Sequence, residues 1–354
     1  MKRTLTWLSL LAALALIAAA CGGTDDGAQT AAPSTTVAAA DDDMTDDEMS
    51  DDDMTDDDMT DDDMTDDDMA DEDMSDDDMT DDMMGHTISF DTAGWPELAN
   101  GAHYEGWLII DGIPASTGRF NVVDGAVQDL DGNPVDHFSV DADTTSATAV
   151  VITIEPADDT DPAPSDTHIL AGDITDGVAD LTIAHPAALG TDFDDARGEF
   201  VLATPTDGDR TNDEFSGVWF LTFPGPTAGL DLPELPAGWT YEGWTVIDGI
   251  PVTTGTFLAV DESDDSAPYS GTVRTPSFPG EDYLQNAPDS LTFPTNISGA
   301  TVVISVEPLA EDNPLPFALK PLAGPVPTDA ELEPVSYPLS NADFVPLTGT
   351  ATIG

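Results

Sequence analysis

The stretch Tyr104-Glu-Gly-Trp-Leu-Ile-Ile-Asp-Gly-Ile-Pro114 decides the fold, because the chain repeats it as Tyr241-Glu-Gly-Trp-Thr-Val-Ile-Asp-Gly-Ile-Pro251. Nine of the eleven positions are identical, and the same spacing of 137 residues also relates Phe120 to Phe257. A block repeated this closely is typical of a tandem duplication of one domain. The sequence therefore predicts two related domains.

Both copies have the residue pattern of β-structure. Apolar and polar residues alternate from Val150 to Glu155 and again from Val302 to Glu307, and a proline follows each glutamate. A period of two is typical of a strand with one buried face. Asp111-Gly112 is a dipeptide favoured in tight hairpin turns. Many short strands separated by turn signals predict an all-β fold with two tandem antiparallel β-sandwich (Ig-like) domains.

The predicted organisation has four parts. The composition changes after Gly85, where Asp-rich repeats give way to Gly, Pro, Thr, Val and aromatic residues. The residues at 224–232 form the boundary between the two copies. The parts are a lipoprotein signal peptide at 1–20, a disordered linker with acidic Met-containing repeats at 21–85, and β-sandwich domains at 86–225 and 232–354.

The second copy differs from the first at its centre and at its end. About fifteen extra residues fall in the stretch Glu262–Asp289, whose Ser, Pro, Gly and Asp content predicts a loop. Near the end, Thr348–Ile353 is the counterpart of the strand at Gly198–Pro205, but nothing remains to match Ser216–Phe223. Either the second domain lacks its last strand or another segment takes that place.

The N-terminal residues have the pattern of a secretory leader. Lys2 and Arg3 precede the apolar run Leu5–Ala20, and Cys21 follows three small residues. This order resembles a bacterial lipobox, although Ala18 stands where Leu is usual, and an ordinary secretory peptide is the alternative. In a lipobox the cysteine is acylated and becomes the mature N-terminus. We therefore expect an extracytoplasmic protein that is lipid-anchored to the membrane at Cys21.

The charge balance limits the partners of the chain. There are 72 acidic and 7 basic residues, which gives a formal net charge of −65. Recognition of phosphates requires clustered Lys and Arg, so nucleic acid is excluded as a partner. Attraction to an anionic lipid surface is excluded for the same reason.

Many of the acidic residues lie in five-residue repeats such as DDDMT between Asp41 and Asp82. A five-residue period places successive methionines neither in a helical stripe nor on one face of a strand. We therefore predict a disordered, acidic spacer. The alternatives are weak cation binding by the carboxylates, Cu(I) binding by the thioethers, and sacrificial oxidation of the methionines.

Two acidic loops are candidate metal sites. Their alternating oxygen ligands suit weak Ca²⁺ binding, and no other cofactor is predicted. The first loop is not an EF-hand, because its glycine falls at the fourth position instead of the sixth. A hairpin turn is the competing interpretation. The candidate ligands are Asp129, Asp131, Asn133 and Asp136 in the first loop and Asp207 and Asp209 in the second.

The aromatic residues of the repeated block are candidate ligand-stacking residues. They are Tyr104, Trp107, Tyr241 and Trp244. If the rings are exposed, they would form a stacking surface. Packing in the core is the favoured interpretation, because tryptophans commonly lie at the centre of a sandwich.

Carboxylates also recur in both copies, and paired carboxylates serve hydrolysis of polysaccharides. Glu105, Asp111 and Glu155 form the set in the first copy. However, Asp111 falls in a turn and Glu155 at a strand end before proline, where exposed acids are ordinary. We therefore predict no catalytic residues and no enzyme.

These blocks together resemble the C-terminal extracytoplasmic domain of anti-sigma-K factors. The resemblance rests on the aromatic-Glu-x-Trp strand with its Asp-Gly-x-Pro turn, and on the Val-rich strand that ends in Glu-Pro. It covers about 95–175 and 232–325. The family's sigma-binding part is a separate cytoplasmic region joined through a transmembrane helix, and neither is matched here. The resemblance implies an outer-face interaction or sensory domain without a cytoplasmic sigma factor as partner.

The sequence thus predicts a lipid-anchored extracytoplasmic binding module. Its expected partners are the membrane, through Cys21, and an envelope protein or polysaccharide. A passive acidic envelope protein that retains cations or adapts the cell to salt is the first alternative. A carbohydrate-active hydrolase is the second.

Overall fold

The computed structural model describes residues 86–208, 214–311 and 313–354. The predicted signal peptide, Cys21, the acidic repeats and Asp209 lie outside these residues. All of the described residues belong to one compact unit. Within them, no helix has the length and apolar character needed to cross a membrane.

The described chain is built from antiparallel strands, which confirms the all-β class. The strands before the second Tyr-Glu-Gly-Trp block are β1 (His86–Asp91), β2 (His103–Ile110), β3 (Ile113–Val123), β4 (Ala126–Gln128), β5 (Phe138–Val140), β6 (Ala147–Glu155), β7 (His168–Thr175), β8 (Val178–Thr182), β9 (Arg197–Leu202), β10 (Gly217–Trp219), β11 (Leu221–Thr222), β12 (Thr227–Ala228) and β13 (Leu230–Asp231). The strands from that block onward are β14 (Trp239–Ile247), β15 (Ile250–Phe257), β16 (Gly280–Asp282), β17 (Thr301–Pro308), β18 (Leu322–Pro325), β19 (Ser336–Leu339) and β20 (Thr348–Ile353).

The repeated block forms the central hairpin of each half. Strands β2 and β3 pair in the first half, and β14 and β15 pair in the second. The backbone has positive φ at Asp111 and Gly112 (51° and 79°) and at Asp248 and Gly249 (52° and 84°). Positive φ at both central residues defines the type I′ turn that joins two strands most tightly. The turn predicted from the Asp-Gly dipeptide is therefore present in both halves.

The sheets show the same strand order in both halves. In the first half the order is β4-β3-β2-β6-β7-β8-β20-β1-β5. In the second half, β15-β14-β17-β18 corresponds to β3-β2-β6-β7, and a bridge from Ala323 to Ser340 brings β19 next to β18. Strand β19 then pairs with β9, and the order β9-β10-β16 corresponds to β20-β1-β5.

The two halves exchange one strand each. Strand β9, which precedes the second repeat in sequence, lies between β19 and β10 of the second half. Strand β20, at the C-terminal end, lies between β8 and β1 of the first half. The segment Ser216–Phe223, expected to be the last strand of the first copy, instead supplies β10 to the second half, at the place that β1 holds in the first half, so no counterpart of it is missing. Because hydrogen-bonded strands cross the boundary at 224–232, the halves are not separate sandwiches, although each has a complete set of strands.

Aromatic side chains fill the core of each half. In the first half, Phe120 stacks on Phe90 at a ring-centroid distance of 5.2 Å and on Tyr104 at 5.6 Å. In the second half, Tyr241 stacks on Phe257 at 5.7 Å. Aromatic pairs at such distances add to the free energy gained by burying their area. The packing therefore uses the residues that the two copies share.

Candidate functional site

The four candidate stacking residues lie inside the protein. Tyr104, Trp107, Tyr241 and Trp244 expose 0, 2, 1 and 3% of their surface. Both tyrosine hydroxyls donate to a backbone carbonyl eight residues earlier, at 2.8 Å for Tyr104 and 2.7 Å for Tyr241. These rings do not face solvent, so a stacking surface made from them would require the sheets to open.

Each tryptophan begins a buried hydrogen-bond chain. The Nε1–H of Trp107 donates to Thr153 Oγ1 at 2.9 Å, and the Thr153 hydroxyl donates to Glu155 Oε1. The same Glu155 oxygen accepts the backbone N–H of Ser165 at 3.1 Å. The glutamate before each proline therefore fastens the loop that follows it to the sheet.

The second half repeats this chain with different residue types. Trp244 Nε1–H donates to Ser305 Oγ at 2.8 Å, and the Ser305 hydroxyl donates to Glu307 Oε1. Glu307 Oε1 also accepts the backbone N–H of Phe317 at 2.9 Å. The chain thus needs only a hydroxyl between the indole and the carboxylate, which both Thr and Ser supply.

The position of Glu155 corrects the prediction of an exposed acid at a strand end. Glu155 is only 1% exposed, and its hydrogen bonds lie within the protein. Glu105 is buried as well, whereas Asp111 is exposed at the hairpin turn. Asp111 is six residues along the chain from Glu105, or roughly 20 Å for extended backbone. The three repeated carboxylates therefore do not meet around a common cleft.

Glu105 has a cationic partner in the first half. Its Oε2 lies 2.9 Å from Nε of Arg119, and its Oε1 accepts the Ser116 hydroxyl at 2.5 Å. Nη2 of Arg119 also lies 2.6 Å from Oδ2 of Asp159 in the loop after Glu155. One guanidinium thus pairs with two carboxylates, one of them buried.

The equivalent Glu242 lacks that cation. Thr256 occupies the position of Arg119 and bonds to Asp265 at 3.1 Å, while Glu242 Oε1 accepts the Thr253 hydroxyl at 2.5 Å. Burial, with a smaller contribution from the nearby Glu307, raises the pKa of Glu242 to about 7. A carboxyl at this position is therefore partly protonated near neutral pH.

The inserted stretch adds three more acids with raised pKa values that the sequence did not indicate: Glu281 and Asp282 are fully buried, and Asp264 is half-buried. Burial raises the pKa to about 8 for Glu281, about 7 for Asp264 and about 6 for Asp282. None of the ion pairs among the described residues includes Glu242, Asp264, Glu281 or Asp282. The only signal in the sequence was a Gly-Glu-Asp-Tyr run inside a stretch that otherwise has loop composition.

Neutral donors hold two of these acids in place. Glu281 accepts the Ser270 hydroxyl and, at 3.1 Å, the backbone N–H of Asp282. Asp282 accepts the indole N–H of Trp219 at 2.7 Å and both the backbone N–H and hydroxyl of Thr206, at 2.7 and 2.5 Å. Both acids belong to β16, so part of the stretch predicted as a loop is a buried strand.

The first candidate calcium loop is a turn closed by its own side chains. Asp129 Oδ1 accepts the backbone N–H groups of Asp131 and Asn133 at 3.0 and 2.8 Å, and Oδ2 accepts the Asn133 amide at 2.9 Å. These bonds from Asn133 and its neighbours lower the pKa of Asp129. Asp136 is exposed, and Asp207 lies next to the buried Thr206. Among the described residues, no group of three or more His, Cys, Asp or Glu is arranged to hold a metal ion.

The buried hydroxyl of Thr153 gives a direct test of the hydrogen-bond chain. Thr153→Val keeps the side-chain shape but leaves Trp107 Nε1 without its acceptor and removes one of the two donors to Glu155 Oε1, the other being the backbone N–H of Ser165. We expect a loss of about 1–3 kcal/mol in the free energy of unfolding, measured by urea denaturation. The control is Thr117→Val, because the buried Thr117 hydroxyl has no hydrogen-bond partner and its loss should be neutral or stabilising. Equal losses for the two variants would contradict the role given to the chain.

Comparison with known families supports the resemblance noted in the sequence. Residues 7–168 match the model of the family described as "Anti-sigma-K factor rskA, C-terminal". The match spans somewhat less than half of the 354 residues and includes the first copy up to His168. This family is an anti-sigma-factor domain and is not known as an enzyme family. No curated protein and no solved structure matches the chain.

Proposed function

We propose that the protein is a lipid-anchored interaction module that binds a protein partner outside the cytoplasm. The match to an anti-sigma-factor-related family supports an interaction role. The leader pattern and Cys21 support the location and the anchor. The repeated motifs are used for folding, since their Trp and Glu side chains are buried and bonded internally. Recognition is therefore assigned to the loops in which the two halves differ.

Exposed leucines in the second half carry this proposal. Leu309 and Leu315, in the loop that follows Glu307-Pro308, are 67 and 54% exposed, and Leu258 is 68% exposed. Strands β15 and β17 are both antiparallel to β14, so Leu258 and Leu309 follow them at the same end of the sheet. The corresponding loop of the first half contains no exposed large apolar residue. Apolar side chains held at one end of a sheet are typical of an interaction site.

Leu309 and Glu311 are held in place by hydrogen bonds, which favours recognition by a preformed surface. The backbone N–H of Leu309 donates to Gly238 O at 2.8 Å, and Glu311 Oε1 accepts the backbone N–H of Ala99 at 2.5 Å. Because the chain carries a net charge of −65, a partner with basic groups around an apolar patch fits best. Envelope polysaccharide and passive retention of cations are the competing roles.

Leu309→Ser combined with Leu315→Ser tests the interaction site. We expect the yield of partner cross-linked to the protein in intact cells to fall about tenfold or more, because truncated central apolar contacts each cost more than about 1 kcal/mol. Ile113→Ser is the matched control, since Ile113 is 68% exposed on the hairpin of the other half. An unchanged cross-linking yield in the double variant would contradict this site, and the absence of any cross-linked protein would favour the passive role.

Cys21→Ser tests the anchor independently. We expect the variant to lose incorporation of a labelled fatty acid and to leave the membrane fraction, because a protein without acyl chains has no such attachment. Ser34→Ala, in the same linker, should leave both unchanged. Continued labelling of the Cys21→Ser protein would contradict lipidation at this residue.

A further inference from the structure

We propose that the protein associates with a second copy of itself by exchanging its C-terminal strand, β20. In this arrangement β20 of one molecule occupies the place between β8 and β1 of another. The partner is an identical chain, so this association is separate from the interaction proposed above. Three features of the structure carry the inference.

The first feature is that strand exchange is already present inside the molecule. Strand β20 pairs with β8 through Thr352–Val178 and with β1 through Ser89–Thr352. Strand β9 makes the equivalent pairs in the other half, Val201 with Ser336 and Trp219 with Val201. If each half were completed by the strand that follows it in sequence, β9 would lie between β8 and β1, and β20 would lie between β19 and β10. In the structure the two strands have changed places. The site between β8 and β1 accepts a strand that arrives from another part of the chain.

The second feature is the pair of linkers that direct this exchange. The segments at 183–196 and 340–347 lead into β9 and β20, and they contact each other where they cross. The Phe193 and Phe344 rings meet edge to face at 5.7 Å, and Asn341 Nδ2–H donates to Phe193 O at 2.8 Å. Linkers of this kind act as hinges when proteins exchange elements.

The third feature is the weak side-chain anchoring of β20. Within β20 only Ala351 is fully buried, whereas Thr348 and Thr352 are exposed. In β9, Phe200, Val201 and Leu202 are all buried. Strand β20 is therefore retained mainly by backbone hydrogen bonds, and the same strand of a second molecule can form the same hydrogen bonds.

The apolar site that β20 covers identifies its occupant. Ile88, Ala179 and Leu181 are no more than 1% exposed beside it. When β20 leaves, these side chains and two strand edges face water, which favours rapid refilling. The side chains of β20 already pack in this site within one molecule, so the β20 of a second molecule fits the site equally well.

Cysteine cross-linking in the full chain tests the exchange. Ser89 and Thr352 are directly opposite, at a separation that suits a disulfide. Chains carrying Cys21→Ser with Ser89→Cys are mixed with chains carrying Cys21→Ser with Thr352→Cys and incubated below the unfolding temperature. We expect an interchain disulfide whose yield rises with protein concentration and with salt, because salt screens repulsion between these acidic chains.

The matched control replaces Ser89→Cys by Ser139→Cys, which is accessible to solvent but lies on β5, one strand further from β20. We expect about tenfold less cross-linking with this pair, because cysteines two strands apart are too distant for a disulfide. Equal yields from the two mixtures would overturn the proposal.

A locked variant provides the second measurement. Ser89→Cys with Thr352→Cys in one chain, oxidised at low concentration, ties β20 to its own β1. We expect light scattering after gel filtration to show concentration-dependent dimers of the Cys21→Ser chain and only monomers of the locked chain. Dimers that persist after locking, or a Cys21→Ser chain that stays monomeric at all concentrations, would overturn the proposal.

Discussion

The protein is expected to be more stable toward unfolding at pH 5 than at pH 8.5, which is unusual for a chain stabilised by ordinary carboxylates. Burial raises the pKa of Glu242 and Asp264 to about 7 and that of Glu281 to about 8. Between the pKa of the unfolded chain and these values, the folded state binds more protons than the unfolded state. The stability that these protonated groups contribute is fully present below the pKa of the unfolded carboxyls, about 4, and is lost as the pH rises from there through about 7 to 8.

Glu281 should contribute most to this loss. It is fully buried, and the rise of its pKa to about 8 makes ionisation at pH 8.5 cost on the order of 3 kcal/mol. Glu281→Gln resembles the protonated acid, so we expect it to unfold at a similar urea concentration at pH 5 and to gain about 2–3 kcal/mol over the parent at pH 8.5.

Asp111→Asn is the control for this pH series. Asp111 is exposed in a type I′ turn whose positive φ asparagine also tolerates. Repulsion among the 72 acidic residues also grows with pH, but it acts equally on the two variants. For each variant the free energy of unfolding is plotted against pH. The difference in slope between the Glu281→Gln and Asp111→Asn plots therefore isolates the effect of the buried Glu281. Parallel curves would contradict a protonated Glu281.

The local structure could be predicted from the sequence where a short pattern determines it. The Asp-Gly dipeptides predicted the type I′ turns, and the alternation in Val150–Glu155 predicted the C-terminal two-thirds of β6. The burial of the repeated tryptophans also follows from their type, because an indole rarely has a better place in a sandwich than the core. These features depend only on neighbouring residues.

The strand exchange could not be predicted, because it depends on which of two equivalent sites a strand reaches. The sequence matched Thr348–Ile353 to the β9 region, but that match is the same whether each strand closes its own half or the other. The linkers at 183–196 and 340–347, which decide between the two, have no periodic pattern. Long-range pairing of this kind is fixed by the tertiary structure.

The buried acids escaped prediction for a different reason. Acidic residues are almost never fully buried without a partner, so sequence reasoning places Glu155 and Glu281 in solvent. Each is buried because hydroxyl and backbone donors from separate parts of the chain converge on it, Thr153 and Ser165 on Glu155 and Ser270 on Glu281. Those donors are brought together only by the fold.

Gly172→Ala is expected to lower the free energy of unfolding by about 3 kcal/mol or more, because the added methyl group has no room. The added Cβ would lie 2.3 Å from the carbonyl oxygen of Asp180 and 2.8 Å from its carbon, on the neighbouring strand β8. Backbone cannot rotate away as a side chain can, so β7 and β8 would have to separate. Gly324, the equivalent residue of the Leu-Ala-Gly motif, has the same relation to Pro338 O at 2.5 Å.

Gly190→Ala separates this steric effect from the ordinary cost of replacing glycine. Gly190 has a φ of 72° but no atom within 4 Å of an added Cβ, so alanine there should cost only about 1–2 kcal/mol of backbone strain. The urea midpoints of the two variants measure the difference. If Gly172→Ala lowers the midpoint no more than Gly190→Ala does, the strands have room for a methyl group. The repetition of Leu-Ala-Gly would then need a cause other than the close approach of β8 and β19.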